Sequence, residues 1–238
     1  MVNSVTKKAP IVLAVDTDDL MTAIEWVKST EGLISVYKLG LEFFLNFGQA
    51  GIRAISESTD ADIFLDLKLH DIPHTVKGAA LAVKNLNPKY LTVHASGGEA
   101  MIRAASDALT NTFVTGVTVL TSLSELDIAQ IGFKENALDS AVGLATIAVA
   151  GGARAVVCSP LEITAIRQSV GAEILIITPG VRPADVTIVD DQVRTMTPRE
   201  AIDRGADLVV IGRPITSAWA QGASALRDRA VHISSQIL

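Results

Sequence analysis

A single cysteine, Cys158, is all that this 238-residue chain carries. One thiol cannot close an internal disulfide and has no second thiol for a Cys-x-x-Cys redox or metal site, which points to a reducing compartment. Cys158 itself reads as core. Long hydrophobic runs are also missing: the apolar, uncharged stretch Ala141 to Ala153 is too short to span a bilayer as a helix. The opening segment MVNSVTKKA lacks the apolar stretch of a secretory leader, so a cytoplasmic protein is expected. Nor is there a surplus of positive charge. With 20 Lys and Arg against 26 Asp and Glu, the net charge is -6, which disfavours a broad nucleic-acid-binding face but leaves room for a local cationic pocket that takes a small anion.

No linker rich in Gly, Ser or Pro divides the chain, and no low-complexity segment appears. The content of 49% hydrophobic and 19% charged residues is that of a folded domain. We therefore expect one domain over residues 1–238, with 1–9 as a loose tail in which Lys7 and Lys8 form a solvated pair.

Eight short runs rich in Val, Ile and Leu recur: IVLAVD from Ile11, LISVYKLG from Leu33, DIFLDLK from Asp62, YLTVHAS from Tyr90, FVTGVTVLT from Phe113, AVVCS from Ala155, EILIITPG from Glu173 and LVVIGR from Leu208. Most are apolar throughout rather than alternating, as in strands covered on both faces, which favours a parallel sheet with helices outside. Between them lie segments with helical spacing, such as Asp19 to Ser29 and Glu99 to Leu109. Eight units in 238 residues give about 30 residues each, the size of a βαβ step. The expected fold is an α/β (β/α)8 TIM barrel. An open dinucleotide-binding sheet would carry GxGxxG after its first strand, where this chain has Thr17-Asp18-Asp19.

Such barrels build their sites at the carboxyl ends of the strands. The polar residues there are Asp16 (first run), Lys38 (second), Asp66 and Lys68 (third), His94 and Ser96 (fourth), Thr121 (fifth), and Gly212 with Arg213 (eighth). Asp66 and Lys68, two apart in an extended segment, share one face, while Leu65 and Leu67 need the helix layer. That places a carboxylate beside an ammonium in the barrel mouth, near Lys38 and with Asp71 following. A structural ion-pair network is the plain alternative; the cost of desolvating four charges at the functional rim favours a site.

Gly212 and Arg213 precede a helix expected to start near Thr216 or Ser217, and loops after the seventh and eighth strands commonly bind phosphate, although an ordinary strand-to-helix turn would look the same. The long segment from TPGVRP to about Met196, with Arg182, Asp190, Asp191, Gln192 and Arg194, reads equally as a lid or a surface loop. His70 and His74 are separated by Pro73 and lack a third ligand, so no metal site is expected. His94 reads as a partly buried, satisfied histidine and His232 as surface.

The segment DLKLHDIPHTV, Asp66 to Val76, resembles the DxKxxDIPxT signature of the orotidine 5'-phosphate decarboxylase family. Further matches follow in order over nearly the whole chain: VDT at Asp16, YKLGLEFF at Lys38, LTVHASGG at His94, GVTVLTS at Thr121, TPGVRP at Arg182, DDQVRTMTP at Gln192 and IGRPI at Gly212 and Arg213. The resemblance implies a (β/α)8 homodimer that converts orotidine 5'-phosphate to uridine 5'-phosphate and CO2, without metal or organic cofactor, in de novo pyrimidine nucleotide synthesis. It implies a catalytic array of Lys38, Asp66, Lys68 and Asp71, with Asp71 and Thr75 serving the neighbouring subunit's site. Lys68 would stabilise the carbanion and protonate C6, Thr121 and Ser122 would meet the pyrimidine, and Arg182, Gln192, Gly212 and Arg213 would hold the phosphate. Asp16, Lys38, Asp66 and Thr75 count among the substrate-binding residues. His74 stands where the family often has Asn.

Two other functions stay open. One is a Mg-dependent keto-sugar-phosphate decarboxylase or aldolase of the same superfamily; such relatives tend to have an acidic ligand where this chain has Lys38. The other is a non-catalytic barrel that binds a phosphorylated metabolite.

Overall fold

The computed structural model describes residues 8–183 and 196–238. Within them strands and helices alternate: β1 (Ala9–Ala14), α1 (Leu20–Thr30), β2 (Ile34–Gly40), α2 (Leu41–Ser56), β3 (Asp62–Leu69), α3 (Pro73–Val83), β4 (Tyr90–His94), α4 (Glu99–Ala108), β5 (Phe113–Val117), α5 (Glu125–Gln130), α6 (Ala137–Ala150), β6 (Ala155–Val157), α7 (Ile163–Val170), β7 (Leu175–Thr178), α8 (Pro198–Asp203), β8 (Leu208–Ile211), α9 (Arg213–Thr216) and α10 (Ala223–Ser235). All neighbouring strands are parallel, they follow chain order, and β8 pairs with β1 to close the (β/α)8 barrel that the eight apolar runs predict.

The strand period of two separates two apolar layers. On β2 and β3, Tyr37, Leu39, Ile63 and Leu65 join the layer shared with the helices, while Val36 and Phe64 join Val12, Tyr90, Ala155, Ile177 and Leu208 in a second cluster inside the barrel. This inner plug fills the barrel with side chains below the charged groups of the mouth. At the opposite, amino-terminal end, Arg167 of α7 donates to Gly171 O and Ile174 O and pairs with Asp207, which also accepts from Ile176 N (2.7 Å). That latch ties α7, β7 and the entry to β8 on the face where barrels keep their stabilising contacts.

Boundaries follow local chemistry. Asp19 caps α1 by accepting from the amides of Met21 and Thr22, so the helix starts where its spacing predicts. β1 begins at Ala9, whose amide donates to Leu33 O (2.9 Å), and Lys8 pairs with Glu31 at 3.5 Å. The strand thus takes in the end of the expected tail, and Lys8 is tethered; Lys7 lies outside the described residues. The last βα turn also differs: the helix starts at Arg213, not near Thr216 or Ser217, because Pro214 in the first turn has its φ preset for a helix. Thr121 lies beyond β5, not at its end, since the chain turns at Leu120–Leu123 once Thr118 has made its bond to Val157 O. Among the described residues no helix is long and apolar enough to cross a membrane.

Close packing of α6 on β5 depends on small residues. A Cβ added at Gly116 would lie 2.5 Å from the Cβ of Ala148. We predict that Gly116→Ala lowers the unfolding free energy by about 1–3 kcal/mol. Adding Ala148→Gly should recover part of that loss, a favourable coupling that a double-mutant cycle by urea unfolding will measure.

Candidate active site

Alternating charge crosses three strands at the carboxyl-terminal mouth of the barrel. Lys38 Nζ of β2 lies 3.3 Å from Asp16 Oδ1, just past β1, and 3.5 Å from Asp66 Oδ2 of β3. Lys68 Nζ lies 2.7 Å from Asp66 Oδ1. The Asp66 carboxylate is therefore divided, one oxygen for each lysine. Side-chain exposure is 13% for Asp66 and 11% for Lys38 but 30% for Lys68, so Lys68 is the more accessible ammonium of the array. Gly40, at the end of β2, leaves space here: a Cβ on it would stand 3.2 Å from Lys38 Nζ.

The end of β3 is not a regular strand. Leu65 pairs with Leu91 and Leu69 with Val93, so four steps along β3 match two along β4, and Lys68 takes a left-handed conformation (φ +47°). A bulge re-aims side chains, and positive φ in a non-glycine residue costs on the order of 1 kcal/mol or more. Leu65 and Leu67 still face the helix layer while Asp66 and Lys68 meet in the mouth, as the two-residue spacing predicts. The Thr92 hydroxyl of β4 accepts from Lys68 N (2.8 Å) and donates to Asp66 Oδ1 (3.0 Å). Sequence reasoning missed Thr92. The signal was its place two residues before His94, on the face of β4 that Tyr90 turns inward.

Burial pushes the Asp66 carboxyl up, but Lys38, Lys68 and the hydrogen bonds outweigh it and hold the group below its ordinary value. Burial likewise pushes the Lys38 ammonium down, and the charges of Asp66 and Asp16 reverse the balance, leaving it raised. Burial first, then His70 and Lys68, keeps His94 below its ordinary value, so its ring, 5.4 Å from that of His70, is mostly neutral at pH 7.

Beside the array lies a cleft of about 230 Å³ lined by Ala14, Asp16, Lys38, Gly180, Arg182, Gly212 and Arg213 among others. Arg182, past β7, and Arg213, past β8, both line it, residue types suited to a phosphate-sized anion. Larger clefts sit away from the carboxyl ends of the strands, such as one of about 490 Å³ around Asp62 and Lys89 where β3 and β4 begin, and it holds none of these groups.

The other predicted site residues are placed differently. Asp71 and Thr75 are exposed on the approach to α3 and in its first turn, and Asp71 accepts from Ile72 N (2.6 Å); they do not join the array within this chain. Thr121 is half-buried and Ser122 exposed in the turn between β5 and α5. Gln192, with Asp190, Asp191 and Arg194 of the expected lid, lies outside the described residues. Among the described residues no group of three or more His, Cys, Asp or Glu side chains is arranged to hold a metal ion.

Residues 9–227 match the model of a family described as Orotidine 5'-phosphate decarboxylase / HUMPS. The chain is 48% identical over 217 residues to the orotidine 5'-phosphate decarboxylase of Thermobifida fusca, covering 91% of this chain and 93% of that protein. It is 44% identical to that of Paramagnetospirillum magneticum, over 93% and 97% of the two chains. The crystal structure of orotidine 5'-phosphate decarboxylase from Lactobacillus acidophilus superposes with a TM-score of 0.80 at 32% identity, covering 97% of this chain and 99% of that one.

The array's pKa directions fix how stability varies with pH. The lowered value of Asp66 makes its stabilisation complete above the ordinary carboxylate value of about 4, fading as pH falls through the folded value. The raised value of Lys38 makes its stabilisation complete below about 10.4, fading as pH rises through the folded value. Asp66→Asn should cost roughly 3 kcal/mol at pH 7, because it strands buried ammonium charge. Urea unfolding at several pH values should show a constant difference from wild type between about pH 5 and 9, shrinking below about pH 4.

Proposed function

The chain belongs to the Orotidine 5'-phosphate decarboxylase / HUMPS family, and from that premise we propose that it converts orotidine 5'-phosphate to uridine 5'-phosphate and CO2, a step of pyrimidine nucleotide synthesis, without a metal or organic cofactor. The observation that carries this reading is the buried Asp66 held between Lys38 and Lys68 beside a cationic cleft.

In the proposed reaction the bond between C6 and the carboxylate breaks, CO2 leaves, and the electron pair stays on C6, where no adjacent carbonyl can take it up as an enolate. Lys68 supplies positive charge next to that carbon and then transfers an Nζ proton to it, giving the C6–H bond of the product; solvent restores the lysine. Asp66 and Lys38 hold Lys68 in place, so the charge is preorganised before the bond breaks. Asp66 also stands near the substrate carboxylate.

The phosphate goes to Arg182, Gly212 and Arg213, with Gln192 as a further ligand, and Thr121 and Ser122 meet the pyrimidine. Binding at this remote anchor fixes the ring over Lys68 and so contributes to the rate. Asp16 and Lys38 border both the cleft and the array, a position suited to the ribose. The exposure of Asp71 and Thr75, away from their own array, supports a homodimer in which each subunit lends them to the other's site.

Two experiments test this. Purified protein in excess chelator should convert orotidine 5'-phosphate with the absorbance change of decarboxylation, and Lys68→Ala should lose at least about 10³-fold in kcat. No turnover by well-folded wild type overturns the function. Mixing inactive Lys68→Ala with inactive Asp71→Asn and allowing subunits to exchange should restore about a quarter of wild-type activity, since half of the dimers are mixed and each has one intact site. No restoration despite proven exchange overturns the shared site.

A further inference from the structure

We propose that Thr92 is a positioning residue for the reaction, its single hydroxyl locking the bulged end of β3 so that Lys68 and Asp66 face the substrate in fixed register. The inference deepens the reading above and rests on it.

At the bulge, β3 leaves its ladder with β4 between Leu65 and Leu69. The Lys68 amide thus has no strand carbonyl opposite it. Thr92 Oγ1 takes its place as acceptor, at 2.8 Å. The hydroxyl has one proton, and with its oxygen engaged by the amide that proton goes to Asp66 Oδ1 at 3.0 Å. The same Oδ1 receives Lys68 Nζ at 2.7 Å. Main chain and side chain of Lys68 are therefore held through a closed loop that runs from the amide through Thr92 and Asp66 to the ammonium.

The loop matters because the conformation it holds is unfavourable by itself. Lys68 sits at φ +47°, where a lysine is uncommon, so it persists only if its surroundings over-determine it. Thr92 is fully buried and β-branched, so its own rotamer is fixed and it can act as a rigid post. Among the described residues no other side-chain hydroxyl or amide is seen bonding Asp66, and Lys38, the remaining partner, approaches Oδ2 instead. Without the Thr92 hydroxyl, Lys68 and Asp66 keep their ion pair but lose the tie that sets where the pair points.

The test compares wild type, Thr92→Val and Thr92→Ser. Val keeps the shape and removes the hydroxyl; Ser keeps the hydroxyl and loses only a methyl. We expect kcat for orotidine 5'-phosphate to fall about 10- to 100-fold in Thr92→Val, with KM and the Kd for uridine 5'-phosphate within about twofold of wild type, since phosphate and ribose contacts are untouched. Amide hydrogen exchange at Lys68 should speed up in the same variant, and Thr92→Ser should restore both kcat and protection. Should Thr92→Val fail to fold, Thr92→Ala against Thr92→Ser carries the same comparison.

An unchanged kcat in the folded hydroxyl-free variant overturns the inference. So does a parallel loss of kcat and product binding that Ser does not rescue, which would make Thr92 a general packing residue. Absence of turnover in wild type removes the decarboxylase reading and this inference with it, and is told apart because it appears before any variant is compared.

Discussion

A carboxylate taken out of water must be matched by positive charge, and at Asp66 the match is split between two lysines. Loss of hydration costs several kcal/mol per buried ion, so neither Asp66 nor Lys38 can be enclosed unless the other is there, already aligned. That mutual need is met where β2 and β3 pair, and Asp16, just past β1, meets Lys38 from the exposed side. The rest of the mouth is arranged around it.

The barrel makes this affordable by segregation. Apolar side chains plug the interior below the array, and a second apolar layer joins strands to helices outside it. The charged array is at the carboxyl rim, with the Arg167–Asp207 latch at the other end. A low-dielectric floor under the array strengthens every interaction above it. In the proposed reaction that gain is what lets one fixed ammonium meet a developing carbanion without reorganising solvent.

Strain is concentrated at the same place. The bulge at the end of β3 and the left-handed Lys68 interrupt an otherwise regular ladder, at the residue with the central part in the proposed chemistry. A regular strand would have aimed that side chain by the pleat alone. Here its direction depends on a neighbouring strand and on one buried threonine.

Much of this was legible in the chain itself. Eight apolar runs at a spacing of about 30 residues determined the barrel, because strands covered on both faces must be apolar throughout. The two-residue spacing of Asp66 and Lys68 predicts that they share the mouth, and they do, although the bulge and Thr92 rather than the pleat alone aim Lys68. Family motifs marked Lys38, Arg182, Gly212 and Arg213, which the fold gathers along one rim. Tertiary structure alone decided the bulge, the left-handed lysine, the role of Thr92, the division of Asp66 between its partners and the outward placement of Asp71 and Thr75. Each of these depends on which atoms of distant segments meet, and on how charge burial is balanced between strands. A local pattern of residues encodes periodicity and propensity, but the partner of a buried polar group is set only when the chain closes.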